Sequence, residues 1–167
     1  ANGIDIRKEG SGNPGTTNVL RTLGKKAAAV TLIIDILKGA VPVIIGAFAG
    51  PVFAFGCGTM AMIGHVWPFQ FKFKGGKGVA TGIGVILAVN PILGLMLLVI
   101  FAAVVAITRY VSLGSCIAAF VMPALAIVLV PDFFWFAVII AAIIIIKHRA
   151  NLARIVRGEE SKLSFSK

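Results

Sequence analysis

The chain has 167 residues, of which 59% are hydrophobic and only 13% are charged. A soluble domain usually carries about 25% charged residues, so this composition excludes an ordinary soluble protein and indicates an integral membrane protein. The net charge of +10 comes without the basic-aromatic pattern of a nucleic-acid module, so no nucleic-acid partner is predicted. The charge instead predicts a membrane orientation and anion binding at the membrane surface.

The first polar segment is KEGSGNPGTTN at residues 8–18, and Arg21 follows it. Glycines let loop N–H groups converge on one concavity, and such nests bind anions, as does the N-terminus of a following helix. Hydroxyls, amides and an arginine fork add donors that suit a phosphate. A flexible surface loop with helix caps is the alternative. The residues of this predicted phosphate cradle are Gly10, Ser11, Gly12, Asn13, Gly15, Thr17, Asn18 and Arg21.

Long apolar segments alternate with polar loops, and Gly50-Pro51, Asn90-Pro91 and Pro131-Asp132 supply turn signals between them. Lys and Arg mark the cytoplasmic side, and a single long span over 79–107 would leave the basic tail outside. We therefore expect two short, tilted spans there. The sequence predicts one all-α domain over residues 1–167, a bundle of about six spans at 27–49, 51–67, 79–90, 91–107, 111–130 and 132–147, with a cytoplasmic amphipathic tail at 148–167.

Few ionisable or thiol side chains lie within the predicted spans. Asp35 and Lys38 are three residues apart inside a span, which favours a structural ion pair. Cys57 and Cys116 fall in apolar runs and are predicted to be inert buried thiols. His65 and His148 lack metal-ligand spacing with them, so neither a metal nor a cofactor is predicted.

The second polar cluster joins Gly64-His65 to the loop KFKGGKGVATG, residues 72–82. The loop resembles a P-loop only superficially, because the Walker motif needs four residues between its first glycine and Gly-Lys-Ser/Thr, after a strand. Lys77 is a point charge suited to a phosphate, whereas His65 is either a simple interfacial histidine or part of a site. The predicted site residues here are His65, Gly75, Gly76, Lys77 and Gly78.

The third cluster is KHRANLAR, residues 147–154, followed by Arg157-Gly158-Glu159-Glu160. His148 and Asn151 are three residues apart and would share one face of a helix. A basic amphipathic membrane anchor is the alternative for this segment. An anchor would explain the arginines but not His148 and Asn151, so both are candidate site residues.

These three clusters resemble the three motifs of the PlsY family, the bacterial acyl-phosphate-dependent glycerol-3-phosphate acyltransferases. The resemblance rests on GSGNPGTTN with Arg21, on Gly64-His65 with KGGKGVAT, and on KHR with Asn151 and Arg157-Gly158-Glu159, in order over nearly the whole chain. It implies transfer of an acyl group from acyl phosphate to the 1-hydroxyl of glycerol 3-phosphate, which gives lysophosphatidic acid and inorganic phosphate in phospholipid biosynthesis.

The resemblance also implies a multi-pass protein of the bacterial inner membrane with its catalytic loops on the cytoplasmic face and no cofactor. The implied partners are acyl phosphate, glycerol 3-phosphate, membrane lipid and, as a candidate, the enzyme that makes acyl phosphate. Family members have seven spans. We therefore expect an N-terminal span before this chain, ending at Ala1-Asn2-Gly3, and whether the chain is active without it stays open.

Roles follow from the resemblance residue by residue. Ser11, Asn13, Arg21 and the surrounding glycines would hold the acyl phosphate. His65, Lys77 and Asn151, with Arg21, would hold glycerol 3-phosphate, and Ser112 is a further candidate contact on the cytoplasmic face. The acceptor proton could pass to His65 or to a phosphate oxygen. An acyl-serine at Ser11 is less favoured because no adjacent base is assigned.

Two other classes of function compete with an enzyme. A phosphate-ester transporter would need polar residues along a path through the spans and usually an internal repeat. A purely structural membrane anchor would leave the three phosphate-type clusters without a role.

Overall fold

A computed structural model describes residues 4–163, and every regular element among them is helical. The predicted all-α membrane fold is confirmed. The expected end of a preceding span at residues 1–3 and the last part of the tail, residues 164–167, lie outside the described residues. The α-helices are α1 Thr16–Ala47, α2 Pro51–Val66, α3 Val79–Val89, α4 Pro91–Thr108, α5 Val111–Leu129, α6 Phe134–Lys147 and α7 Arg149–Val156.

Four helical segments of the described residues are long and apolar enough to cross a membrane: α1, the segment Pro51–Phe71 that contains α2, α4 and α5. The number rises to five if α6 and α7, which are bent by 52° at a short break, are counted as one span. The shorter α3 has 11 residues. The chain is thus a multi-pass membrane protein, while six crossings and their orientation stay predictions.

The expected break at Asn90-Pro91 is present, because α3 ends at Val89 and α4 begins at Pro91. The side-chain oxygen of Asn90 accepts a hydrogen bond from the backbone N–H of Leu93 at 2.9 Å and caps α4. Proline fits the first helical position because its missing N–H would have no partner there.

Helix α1 begins at Thr16, well before the predicted span start at residue 27. The polar first part forms a helix because it has its own inward face, with Asn18 and Val19 buried. Gly24 interrupts the helix with φ of 83°, a left-handed conformation that glycine adopts without a Cβ clash. The phosphate-cradle loop therefore leads directly into a helix N-terminus.

Residues 1–85 form one compact unit. Within it, Gly50 has φ of 116° and turns α1 back into α2, which starts at Pro51. A Cβ on Gly39 of α1 would meet the backbone of Thr81 and Val85 in α3. Small residues at such positions let membrane helices approach closely, so glycine sets the spacing between α1 and α3.

Residues 86–167 form the second compact unit. In this unit α5 packs against α4 and α6, and α7 contacts both α5 and α6. A Cβ on Gly114 of α5 would lie 3.0 Å from the carbonyl oxygen of Phe101 in α4, so these helices also approach closely. The assignment of the whole chain to a single domain stays a prediction.

The helices expose many large apolar side chains, including Ile45, Phe120 and Val128. Such a surface suits contact with lipid rather than water. Cys116 is buried as expected, but Cys57 is exposed. The prediction of a buried thiol was wrong for Cys57, because an apolar run in a membrane helix supplies an outward face as well as a core face.

Candidate active site

The loop before α1 is organised by the buried side chain of Asn18. Its Oδ1 accepts a hydrogen bond from the backbone N–H of Ser11 at 2.9 Å. Its Nδ2 donates to the carbonyl oxygens of Ile6 at 3.2 Å and Glu9 at 2.9 Å. One amide from the first turn of the helix thus fixes the loop, and a direct contact of Asn18 with substrate stays a prediction.

Glycines in this loop are required by its shape. Gly10 and Gly12 have φ of 56° and 70°, and a Cβ on Gly10 would collide with Oδ1 of Asn18. Gly15 lies beside the amide of Asn13 and forms the N-cap position of α1. The exposed Ser11 sits on this tight loop, next to the N-terminus of α1, where N–H groups and the helix dipole favour an anion.

The first turns of α1 add further donors beside the loop. Thr17 is half-buried and Arg21 is exposed one turn after Asn18. The Oγ1 atom of Thr16 is buried, and no hydrogen-bond partner for it is present among the described residues. A buried hydroxyl without a partner costs free energy, so this atom is suited to a ligand that brings its own acceptor.

His65 lies in the last turn of α2, beside the carboxylate of Asp35 in α1. The Nδ1 atom of His65 is 3.6 Å from Oδ1 of Asp35, and the same oxygen accepts a hydrogen bond from Nζ of Lys38 at 3.2 Å. The predicted ion pair of Asp35 and Lys38 is therefore confirmed. The contact of the same Asp35 oxygen with His65 was not predicted.

The glycine loop wraps around His65. A Cβ on Gly75 would collide with the backbone carbonyl of His65, and one on Gly76 would collide with its imidazole Nε2. Gly78 has φ of 79°, and its carbonyl oxygen accepts a hydrogen bond from the N–H of Gly82 at the start of α3. The half-buried Lys77 lies between them. The structure thus brings together the predicted residues of the second cluster.

A cavity of about 730 Å³ lies in the same unit, and it is lined by residues 4–7, by Pro14 of the first cluster, by α1 and α2, and by the second cluster with the turn before its loop. Its polar lining includes Asp35 and His65, and its apolar lining includes Ile34 and Phe71. The mixed lining suits a molecule that is polar at one end and apolar at the other.

Arg7 contributes a fixed cation to this cavity. The guanidinium forms two hydrogen bonds to the Asp5 carboxylate, at 2.8 and 3.1 Å, and its Cζ lies 5.1 Å from the centre of the Phe71 ring. The hydrogen bonds from Arg7 lower the pKa of Asp5, so both groups are charged at neutral pH.

In the second unit, three side chains donate hydrogen bonds to the carboxylate of Glu160. It accepts hydrogen bonds from Oγ of Ser112 at 2.8 Å, Nδ2 of Asn151 at 2.6 Å and Nε of Arg154 at 2.8 Å. Burial, the largest single effect, would raise the pKa of Glu160, but these donors together hold its pKa below the usual value. Glu160 is therefore an anchored carboxylate that positions Ser112 and Asn151.

His148 lies at the break between α6 and α7 rather than inside one helix with Asn151. Its ring Nδ1 is 2.8 Å from the carbonyl oxygen of Ile144, and both His148 and Asn151 are buried. The third cluster belongs to the second compact unit, and the predicted meeting of all three clusters in one site stays a prediction.

Two contacts were not predicted from the sequence: that of Asp35 with His65 and that of Glu160 with Ser112. Only the first has a recognisable signal in the sequence. Asp35 and His65 each lie fifteen residues from Gly50, and an antiparallel pair of helices brings residues equally far from the turn to the same depth. The role of Glu160 had no comparable signal, because its bond to Ser112 spans 48 residues.

The described residues include no group of three or more His, Cys, Asp and Glu side chains that could hold a metal ion. The prediction of a reaction without a metal or a cofactor is not tested by this observation and stays a prediction.

A family model for glycerol-3-phosphate acyltransferase matches residues 1–158. The curated glycerol-3-phosphate acyltransferase of Thermoanaerobacter sp. (strain X514) is 45% identical, with 96% of this chain and 82% of the relative covered. That of Clostridioides difficile (strain 630) is 46% identical, with 99% and 85% covered. The crystal structure of PlsY (YgiH), an integral membrane glycerol 3-phosphate acyltransferase in its glycerol 3-phosphate form, is similar with a TM-score of 0.92 and 37% identity, over 97% of this chain and 84% of that chain.

Proposed function

Because this chain belongs to the glycerol-3-phosphate acyltransferase family and is an integral membrane acyltransferase, we propose that it uses acyl phosphate as the donor. The acyl group passes to the 1-hydroxyl of glycerol 3-phosphate, and the products are lysophosphatidic acid and inorganic phosphate. The observation that supports this proposal most directly is the similarity over 97% of the chain to PlsY in its glycerol 3-phosphate form.

The geometry of residues 4–85 agrees with this chemistry. The loop fixed by Asn18 offers backbone N–H groups and Ser11 beside a helix N-terminus, which suits a phosphate. The cavity lined by His65 and Gly76 has both polar and apolar walls. An acyl phosphate combines a phosphate with an apolar chain, so it matches both features.

In the proposed reaction the acceptor hydroxyl attacks the acyl carbon. A carbon–oxygen ester bond forms, the anhydride carbon–oxygen bond breaks, and inorganic phosphate leaves. The proton of the hydroxyl passes to His65 or to an oxygen of the departing phosphate. A mixed anhydride is already activated, so positioning and stabilisation of charge by Ser11, Arg21 and loop N–H groups are the main needs.

The residue roles are proposals on the same basis. Ser11, Asn13 and Arg21 hold the acyl phosphate, with the glycines of their loop. His65, Lys77 and Asn151 hold glycerol 3-phosphate, with Arg21 between the two substrates. The basic loops predict a site that faces the cytoplasm from the inner membrane, close to the enzyme that makes acyl phosphate.

The test is incubation of the purified, reconstituted protein with labelled glycerol 3-phosphate and, in turn, acyl phosphate, acyl-CoA and acyl carrier protein. Formation of labelled lysophosphatidic acid with acyl phosphate alone is expected. Product only with acyl-CoA or acyl carrier protein would overturn the proposed donor. Uptake of label into the vesicles without acylation would instead indicate a transporter.

Two variants test the proposed roles. Lys77→Ala is expected to raise KM for glycerol 3-phosphate, because an ammonium that pairs with the substrate phosphate is lost. Unchanged kinetics would remove Lys77 from the site. Retention of more than a few per cent of activity by Ser11→Ala would exclude an acyl-serine intermediate.

A further inference from the structure

Asp35 lies inside a membrane-crossing helix, yet its side chain is turned away from the surface. The side chain of Lys38 is 55% exposed, whereas that of Asp35 is 7% exposed. A carboxylate that paired only with Lys38 could turn towards the exposed ammonium, where it would lose less of its solvation. Instead the carboxylate points towards α2, where its Oδ1 lies 3.6 Å from Nδ1 of His65.

The opposite edge of the imidazole faces the glycine loop. A Cβ on Gly76 would collide with Nε2 of His65, and it would lie 3.1 Å from Cε1 and 3.3 Å from Cδ2. The ring is therefore held between a carboxylate on its Nδ1 side and a glycine without a side chain on its Nε2 side. Asp35, His65 and Gly76 all line the same cavity.

We propose that Asp35 is a positioning residue that holds His65 in the tautomer with the proton on Nδ1, so that the Nε2 lone pair is presented to the substrate. This inference rests on the proposed function. A carboxylate beside one ring nitrogen of a histidine selects which nitrogen carries the proton. Nε2 then accepts a hydrogen bond from a hydroxyl of glycerol 3-phosphate, and Gly76 leaves room for that hydroxyl.

Lys38 has a supporting role in this arrangement. Its ammonium is 3.2 Å from the same carboxylate oxygen, so Oδ1 of Asp35 faces both this ammonium and Nδ1 of His65. An ammonium can only donate, so Oδ1 is the acceptor for Lys38 and is placed to accept the Nδ1 proton of His65 as well. The cluster therefore keeps one acceptor, the Nε2 atom, on the substrate side.

A double-mutant cycle with Asp35→Asn and His65→Ala tests the inference. Asp35→Asn is nearly isosteric and is expected to lower kcat/KM by roughly ten- to a hundred-fold, as loss of a partner that orients a histidine does elsewhere. In the His65→Ala background the same substitution is expected to have no further effect. Full additivity of the two losses, or wild-type kinetics in Asp35→Asn, would overturn the inference.

Asp132→Asn is the matched control, since Asp132 is exposed at the start of the turn before α6, and wild-type kinetics are expected for it. The wild-type protein itself gives an answer that does not depend on a variant folding. Its imidazole nitrogen chemical shifts, assigned to His65 by comparison with His65→Ala, are expected to show a proton on Nδ1 and none on Nε2. A proton on Nε2 would overturn the inference. Failure of the wild type to form lysophosphatidic acid would instead count against the proposed function.

Discussion

The Oδ1 atom of Asn18 accepts a hydrogen bond of 2.9 Å from the backbone N–H of Ser11. The amide nitrogen of the same side chain donates to the carbonyl oxygens of Ile6 and Glu9. Asn18 therefore needs both an acceptor and a donor, which only an amide of this shape supplies. The loop that is proposed to hold acyl phosphate depends on this one buried side chain.

Asn18→Asp is expected to lower kcat/KM for acyl phosphate by more than about tenfold. The substitution keeps the acceptor for Ser11 but sets a carboxylate oxygen against two carbonyl oxygens, and it adds a negative charge beside a phosphate site. Steady-state kinetics with varied acyl phosphate measure the effect.

Asn90→Asp is the matched control for this prediction. There the side-chain oxygen makes the capping bond to the N–H of Leu93, and aspartate is as good an N-cap as asparagine. Kinetics close to wild type are expected for it. Equal kinetics in the two variants would show that the donor half of Asn18 is dispensable.

Glu160→Gln is expected to lower stability at neutral pH by about 1–3 kcal/mol, because three hydrogen bonds to a charged, mostly buried acceptor are weakened. The pKa of Glu160 is lowered in the fold from its ordinary value of 4.5. A lowered folded pKa gives stability that is present above the unfolded pKa and lost as pH falls through the folded pKa. The difference in thermal unfolding between wild type and variant should therefore be largest near pH 7 and shrink in acid.

Glu159→Gln is the control for this pH dependence. The Glu159 side chain is 58% exposed and pairs with an exposed Arg157, so its loss is expected to change the unfolding temperature little at any pH. A difference between Glu160→Gln and wild type that does not change with pH would contradict the assignment of the stabilisation to the charged carboxylate.

Ser112→Ala is expected to lower the unfolding temperature by about 2–4 °C, which corresponds to about 1 kcal/mol in a chain of this size. The Oγ of Ser112 donates to the carboxylate of Glu160 at 2.8 Å. Ser115→Ala is the matched control, because that equally buried hydroxyl bonds to the carbonyl oxygen of Val111 in its own helix. An unchanged unfolding temperature with a raised KM for glycerol 3-phosphate would instead assign the Ser112 hydroxyl to the substrate.

Local signals in the sequence predicted the helix boundaries better than the contacts between helices. The break before α4 follows from Asn90 as N-cap and Pro91 at the first helical position, which are neighbours in the chain. The pair of Asp35 and Lys38 likewise follows from their spacing on one helix. These features depend on a few consecutive residues, so the sequence is sufficient to predict them.

Contacts between distant parts of the chain could not be predicted in the same way. Glu160 meets Ser112 because the chain turns at Gly158, with φ of 73°, and returns towards α5. Glu160 was noted at the end of the third polar cluster, but no role was predicted for it. Helix α1 also begins before the predicted span start at residue 27, because part of the polar segment 16–26 packs inward.

Gly39→Ala is expected to destabilise the protein by about 1–3 kcal/mol, since the added methyl has no room. Its Cβ would collide with the carbonyl oxygen of Thr81 and lie 2.9 Å from the backbone nitrogen of Val85. These are backbone atoms of α3, which cannot move aside as a flexible side chain would. Unfolding by heat or denaturant in detergent measures the loss.

Gly56→Ala is the matched control for Gly39→Ala, because a Cβ on Gly56 would meet nothing within 4 Å. A helical glycine whose Cβ would meet no neighbour gains up to about 1 kcal/mol on replacement by alanine, so equal or higher stability is expected there. Asp35 lies one helical turn before Gly39 on the same buried face of α1. A shift of α1 away from α3 should therefore also move Asp35 relative to His65, and Gly39→Ala should lose activity beyond its loss of folded protein. Equal unfolding of the two variants would show that α1 and α3 tolerate a wider spacing.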